Sequence, residues 1–389
     1  EFDHVHPRNA MNPDIDRHSE PSLFMPPIGW FIFAVFFVVG CSPASREDIP
    51  CTQWTDVPNH YAQSFQIRTC GSIQQLIVFG PRGRSDTLAV YHVDENGVKS
   101  NSALLPLKQV AVVSTTHLAF IHALGSSERV IGAAGLGHVM DPSLMNVLSA
   151  QGTVEIGTAD GLNREALIHL APDALLDQPF GKTDAAEPLP GIPSIMISEY
   201  LEPHPLGRAE WVRFFGVLFG VTTKADSLFA AIETRYTTVR DRVDATVAPV
   251  TVFFGSNWQG TWWVPGGKSY MSRMITDAGG VLQFSNEEAV ENSAVDLETL
   301  IHKGDLLRYW GMVVAENGPV TTDVLSAGER RLQQIGPFKE QGLYAANSAH
   351  VDIFGKALLE PDVVLLDLVK VFHPTMAMEH KAVYFGSVE

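Results

Sequence analysis

Apolar positions recur at three- and four-residue spacing from Thr223 to Val243, through Leu228, Phe229, Ile232, Tyr236, Val239 and Val243. That period predicts one amphipathic helix, uninterrupted by Gly or Pro and opened by a Thr223 hydroxyl that can accept from the first-turn amides. About 21 residues at 1.5 Å each span roughly 30 Å, the width of a small domain. Two similar stretches flank it: NREALIHLAPDALL (Asn163–Leu176) and DLETLIHKGDLL (Asp296–Leu307). Each carries a Glu, Glu165 or Glu298, then Leu-Ile-His, then an Asp before a short apolar run read as a strand, Asp305–Leu307 in the second case. The pattern predicts two α/β lobes joined by a rigid rod.

Elsewhere the period switches along the chain. Ile28–Val39 is an unbroken apolar run, too short to cross about 30 Å of hydrocarbon comfortably and of the length of a signal-peptide core. Residues 1–10 precede the first Met and read as a remnant upstream of the start. Ser42–Pro50 reads as a linker. Ser64–Ile67, Gln74–Phe79 and Thr87–His92 are short runs separated by Gly, Pro, Asp and Asn, which predicts a small β extension. From Gln109 strands and helices alternate. Expected strands are Gln109–Val113, Asp173–Asp177, Ile192–Ile197 and Val250–Phe254, another starting at Val130. Expected helices are Thr116–Leu124, Leu162–His169, Arg208–Phe219, Ser269–Ala278 and Pro361–Phe372. Such alternation predicts a mainly parallel sheet in each lobe. The expected organisation is therefore 1–41 leader, 42–107 linker and β extension, 108–222 first α/β lobe, 223–245 connecting helix, and 246–389 second α/β lobe.

Composition changes this picture in two ways. The 389 residues are 45% hydrophobic, enough for ample core. The net charge of −17 repels phosphate backbones, so nucleic acid is not an expected partner. Of the three cysteines, Cys51 and Cys70 can pair if the chain is exported; spacing leaves disulfide and free thiols both open.

In open parallel sheets, ligands sit beyond the carboxyl ends of strands. Two loops stand there: Ser114 and Thr115 after the first strand, and Gly255–Tyr270 after Phe254. The second holds three of the seven tryptophans, Trp258, Trp262 and Trp263. Flat side chains in a Gly-rich loop suit a large flat ligand, so these three, with Tyr270 and His350, are the candidate ligand wall. Gly266-Gly267-Lys268-Ser269 lacks the upstream Gly of a phosphate loop, since Trp262 stands there. No GxSxG is present, and the fourteen histidines show no zinc-like spacing. His350 and Asp352 would share one face of a strand, a spacing that fits a metal less well than an ordinary surface pair. The expectation is a site without catalytic residues, resident metal or cofactor.

Taken in order, these segments resemble a known family. Val110–Gly135, Asn163–Leu176, Pro265–Gly280 and Asp296–Leu307 around one long helix resemble the periplasmic substrate-binding proteins of ABC importers for cobalamin, haem and ferric siderophores. Val38-Val39-Gly40-Cys41 resembles a lipobox, in which Cys41 is lipidated, although no Lys or Arg closely precedes the apolar core. The resemblance implies a class III binding-protein fold, with two Rossmann-like lobes on one helix. It also implies a metal-chelate ligand in the cleft, an ABC permease dimer as partner, Glu165 and Glu298 as the docking carboxylates, and a lipid-anchored periplasmic location. A chelatase-like enzyme on a similar scaffold is the alternative.

Overall fold

The computed structural model describes Cys51 and residues 53–93, 106–158, 161–178, 189–244 and 247–388. The leader and Cys41 lie outside the described residues. The described chain opens with a four-stranded antiparallel meander, from Thr55–Val57 to Gly83–Val93. Cys51 and Cys70 form a disulfide, which ties the entering chain to the second strand.

The meander is bound to the first lobe through two buried carboxylates on the helix Pro205–Leu218 and the turn before it. Glu210 accepts from the amides of His60, Tyr61 and Ala62 at 2.8 Å each. Glu202 accepts from Gln63, Ser64 and the Trp211 indole at 2.8–2.9 Å. Amides that no strand partner could reach are thereby satisfied by charge-assisted bonds.

The first lobe is a five-stranded parallel sheet in which Val110–Val112 is central, flanked by Ala174–Asp177 on one side and Val130–Ala133 on the other. These three strands are buried along nearly their whole length, with Asp177 their one charged residue, as in parallel sheets covered on both faces. The second lobe is built around Val250–Phe254 and Tyr309–Val314, which pair in parallel. Leu343–Asn347 extends that sheet in parallel, and the antiparallel Gly386–Ser387 closes its edge.

The connecting helix runs Thr222–Asp244 and starts one residue before the capping Thr expected from the sequence. Phe229, Ile232, Tyr236 and Val243 are buried, on the face the hydrophobic period marks. Tyr236 donates to Asp277 of the second lobe at 2.8 Å, and Arg235 pairs with Asp362 of the final helix, Pro361–Phe372, at 2.8 Å.

Two expectations are corrected. The Gly255–Tyr270 segment is not a loop: Ser256–Trp258 and Thr261–Val264 form a hairpin, and Ser293–Val295 adds a third strand. Gln259 and Gly260 take the positive-φ positions of its two-residue turn. The second repeat also departs from the first. Gly304–Leu306 is a tight helical turn, and the strand begins only at Tyr309. Where the first repeat ends its helix at Ala171, in the left-handed region at φ 46°, before Pro172 and its Asp, the second has Gly304 in helical backbone and tightens for one more turn.

Candidate functional site

A cavity of about 410 Å³ lies between the lobes, against the connecting helix. Thr115, Ala119, His122 and Ala123 line it from one face of the helix Thr115–Ala123, at the spacing that stacks residues on a single side. The turn before the helix Pro142–Ala150 contributes His138 and Asp141, and the connecting helix contributes Leu228 and Arg235. The second lobe supplies Asp352, Lys356 and Glu360, which follow its strand Leu343–Asn347.

Asp141 caps its helix, accepting from the Ser143 amide at 2.8 Å and the Ser143 hydroxyl at 2.7 Å. Burial pushes its carboxyl up, but the Ser143 and Leu144 donors outweigh that and hold it below the usual carboxylate value. His122 lies 4.0 Å from Asp141, and its two ring nitrogens contact the Ser127 and Ser143 hydroxyls at 3.0 and 2.9 Å. Asp352 accepts from the Lys356 amide at 2.8 Å. Burial pushes its carboxyl up, against the pull of the Lys356 and Gly355 amides, and the charge of Asp141 in the opposite lobe adds a smaller push. The cations of the wall are already engaged, Arg235 with Asp362 at 2.8 Å and Lys356 with Glu360 at 3.1 Å.

Beside the cavity the lobes touch directly. Thr116 donates to the Phe354 carbonyl at 2.9 Å, and Arg208 lies over the Tyr270 ring at 4.5 Å. Behind that contact His117 and Glu199 are fully enclosed, with Nε2 and Oε2 3.6 Å apart. Arg208 stands 3.9 Å from Glu199. The two nitrogens of His117, Glu199 Oε2 and Arg208 Nε find no hydrogen-bond partner in the protein, a group of orphaned atoms that buried water commonly fills.

Of the residues expected at the ligand wall, the structure brings only Thr115 into this cavity. Ser114 precedes it at the helix cap, half-buried. Tyr270 belongs instead to a second cavity of about 40 Å³, with Arg208 and Phe354. Trp262 is core, 1% exposed and edge-on to Phe253 and Trp310 at 5.8 and 5.1 Å between ring centres. Alternation along its strand leaves Trp263 half-buried, and Trp258 before the turn is 54% exposed. His350 is exposed in the turn after Leu343–Asn347, so it shares no strand face with Asp352. Ser269 caps the helix Tyr270–Asp277, and Lys268 pairs with Glu288, which gives the GGKS stretch a structural role. Glu165 and Glu298 are each the second residue of a helix capped by Asn163 or Asp296, and both are exposed. Glu298 meets Arg331 at 2.7 Å. Sequence reasoning missed Asp141, Arg235, Lys356 and Glu360. The Asp141-Pro142 pair was a readable helix start, whereas the others have no local signature.

Among the described residues no three His, Cys, Asp or Glu side chains converge to hold a metal, and no helix is long and apolar enough to cross a membrane.

Two lobes on a single connecting helix, with a cavity between them, are a fold that known proteins share. The family model described as "Periplasmic binding protein" matches residues 110–305. The chain belongs to the periplasmic binding protein family. An uncharacterized lipoprotein of Methanocaldococcus jannaschii is 25% identical over 72% of this chain and 69% of its own. A solved periplasmic binding protein from Veillonella parvula superposes with a TM-score of 0.57 at 14% identity, covering 77% of this chain and 98% of that one. A periplasmic heme binding protein from Pseudomonas aeruginosa gives 0.54 at 14% identity, covering 73% and 98%. These two likenesses establish the shared two-lobe fold. As a periplasmic binding protein the chain falls in a family of substrate-binding transport proteins rather than enzymes.

Proposed function

We propose that the protein captures a metal chelate, of the siderophore-iron, haem or cobalamin kind, between its lobes and delivers it to an ABC permease dimer. The observation that carries this reading is the cavity shared by both lobes and the connecting helix, at a size typical of small-ligand sites. Solved relatives support the ligand class, since one of similar fold is a heme binding protein. In this reading Glu165 and Glu298, exposed at matching places in the two lobes, each meet a permease Arg whose planar fork pairs a carboxylate bidentately. Cys41 carries the lipid anchor, a reading supported by a relative named as a lipoprotein.

The test is a titration of the full chain with cobalamin, haemin and ferric siderophores, followed by tryptophan fluorescence and visible absorbance. Saturable binding of one chelate without its chemical turnover is expected, and chemical conversion of the bound chelate would favour a chelatase-like enzyme instead. In the same preparations, Glu165→Ala with Glu298→Ala is expected to keep ligand binding and lose permease pull-down. Normal docking of that double variant would reduce both residues to solvated helix positions.

A further inference from the structure

We infer that the inter-lobe cavity selects a metal chelate of net positive charge, seated between Asp141 of the first lobe and Asp352 of the second; this rests on reading that cavity as the ligand site.

Charges around this one cavity decide what it can hold. The cavity wall contains two cationic side chains, Arg235 and Lys356, and three carboxylates, Asp141, Asp352 and Glu360. Both cations are spoken for within the protein: Lys356 by Glu360, and Arg235 by Asp362. A paired guanidinium or ammonium has little attraction left for an incoming anion. Asp141 and Asp352 are the charges left over. Their hydrogen bonds are to amides and to a serine hydroxyl, which orient a carboxylate without cancelling its charge, and His122 stands 4.0 Å from Asp141. The wall also holds the imidazoles of His122 and His138.

The two leftover carboxylates come from opposite lobes and line the same space, where like charges repel. A cation between them removes that repulsion and draws the lobes together. An anionic chelate adds a further negative charge to a site with no free cation, in a chain whose net charge is already −17, and like charges brought close in a partly desolvated site are strongly disfavoured. The rule excludes ligands recognised through their carboxylates and admits compact cationic complexes.

The experiment uses two inert octahedral chelates of similar size and opposite charge, tris(ethylenediamine)cobalt(III) and tris(oxalato)cobaltate(III). Each is titrated into the full chain by calorimetry at about pH 8 and near-physiological salt. The cation is expected to bind saturably and the anion not to bind. Asp141→Asn and Asp352→Asn should each weaken cation binding about tenfold, since asparagine keeps the helix cap at 141 and the amide contact at 352. Glu379→Gln, at an exposed acidic residue outside the cavity wall, should leave binding unchanged. Tighter binding of the oxalato complex overturns the charge rule while leaving the cavity as the ligand site. Equal cation binding by Asp352→Asn and Glu379→Gln overturns it too, because the cation is then held only by the acidic surface. So does failure of both complexes to bind. The underlying reading is tested separately by filling the cavity with Ala119→Trp, or Ala123→Trp if the first does not fold. If a complex that binds the wild type binds such a folded variant equally well, the cavity is not where it sits.

Discussion

Replacing Trp262 separates a core residue from a ligand contact. Its indole is 1% exposed, edge-on to Phe253 and Trp310, and those two rings stack at 3.8 Å between centres. Around them lie Val264, Val295, Leu300 and Met312 of the same apolar cluster. Trp262→Ala removes one of the two largest side chains of this group, and the rings it touches, Phe253 and Trp310, sit on paired strands that hold them in place. Such a change costs about 3–5 kcal/mol. Melting the compact body Cys51–Glu389 carries an entropy near 2.1 cal/mol/K per residue, so the loss lowers Tm by roughly 5 °C, and by more if the second lobe melts alone. Trp258→Ala, at a site 54% exposed, should stay within about 0.5 kcal/mol of wild type. Thermal melts followed by far-ultraviolet circular dichroism on the two variants decide the matter. A Trp262→Ala protein that melts with wild type, or a Trp258→Ala protein that melts as early as Trp262→Ala, would refute the assignment of these two rings.

Glu210→Ala leaves the amides of His60, Tyr61 and Ala62 without their acceptor; a loss of about 3 kcal/mol or more is expected, with faster hydrogen exchange across residues 60–64, and unchanged exchange there would contradict the clamp. His204 accepts from the Leu206 amide through Nδ1, and its pKa is lowered to about 4 by burial first and by Arg273 and Arg240 next. The folded state thus binds fewer protons than the unfolded chain between about pH 4 and 6.5, so this stability is present in full above the upper value and lost as pH falls towards the lower. At full burial such a shift is worth about 3 kcal/mol, and solvent at the half-buried ring reduces it to about 2 kcal/mol. Urea melts of wild type and His204→Asn should therefore differ in slope with pH across that window, and parallel slopes would remove His204 as the cause. Finally, the unbroken connecting helix, the Thr116–Phe354 bond and the Arg235–Asp362 pair predict only a small lobe rotation on ligand binding, which a free and bound pair of structures would show; a large rotation contradicts it.

What the sequence determined by itself is what depends on local period and local chemistry. The connecting helix is legible because Leu228, Phe229, Ile232 and Tyr236 repeat at helical spacing over its length, whatever packs against them. Val250–Phe254 and Pro361–Phe372 match the structure residue for residue, the first a short β-branched and aromatic run, the second a helix opened by its own Pro. The capped repeats with Glu165 and Glu298 are equally local. Tertiary structure decided the rest. Tyr309–Val314, central to the second sheet, hides behind the turn at Gly304, because a buried strand and an apolar turn read alike until strand pairing selects between them. Trp262 and Trp258 sit four residues apart in one polar, Gly-rich segment, yet pairing with Ser293–Val295 turns the first inward and leaves the second in solvent. Asp141 and Asp352 are separated by more than half the chain, and no pattern along the sequence brings them together. They share a cavity only because two lobes close on one helix, and long-range electrostatics of that kind exists only after the chain has folded.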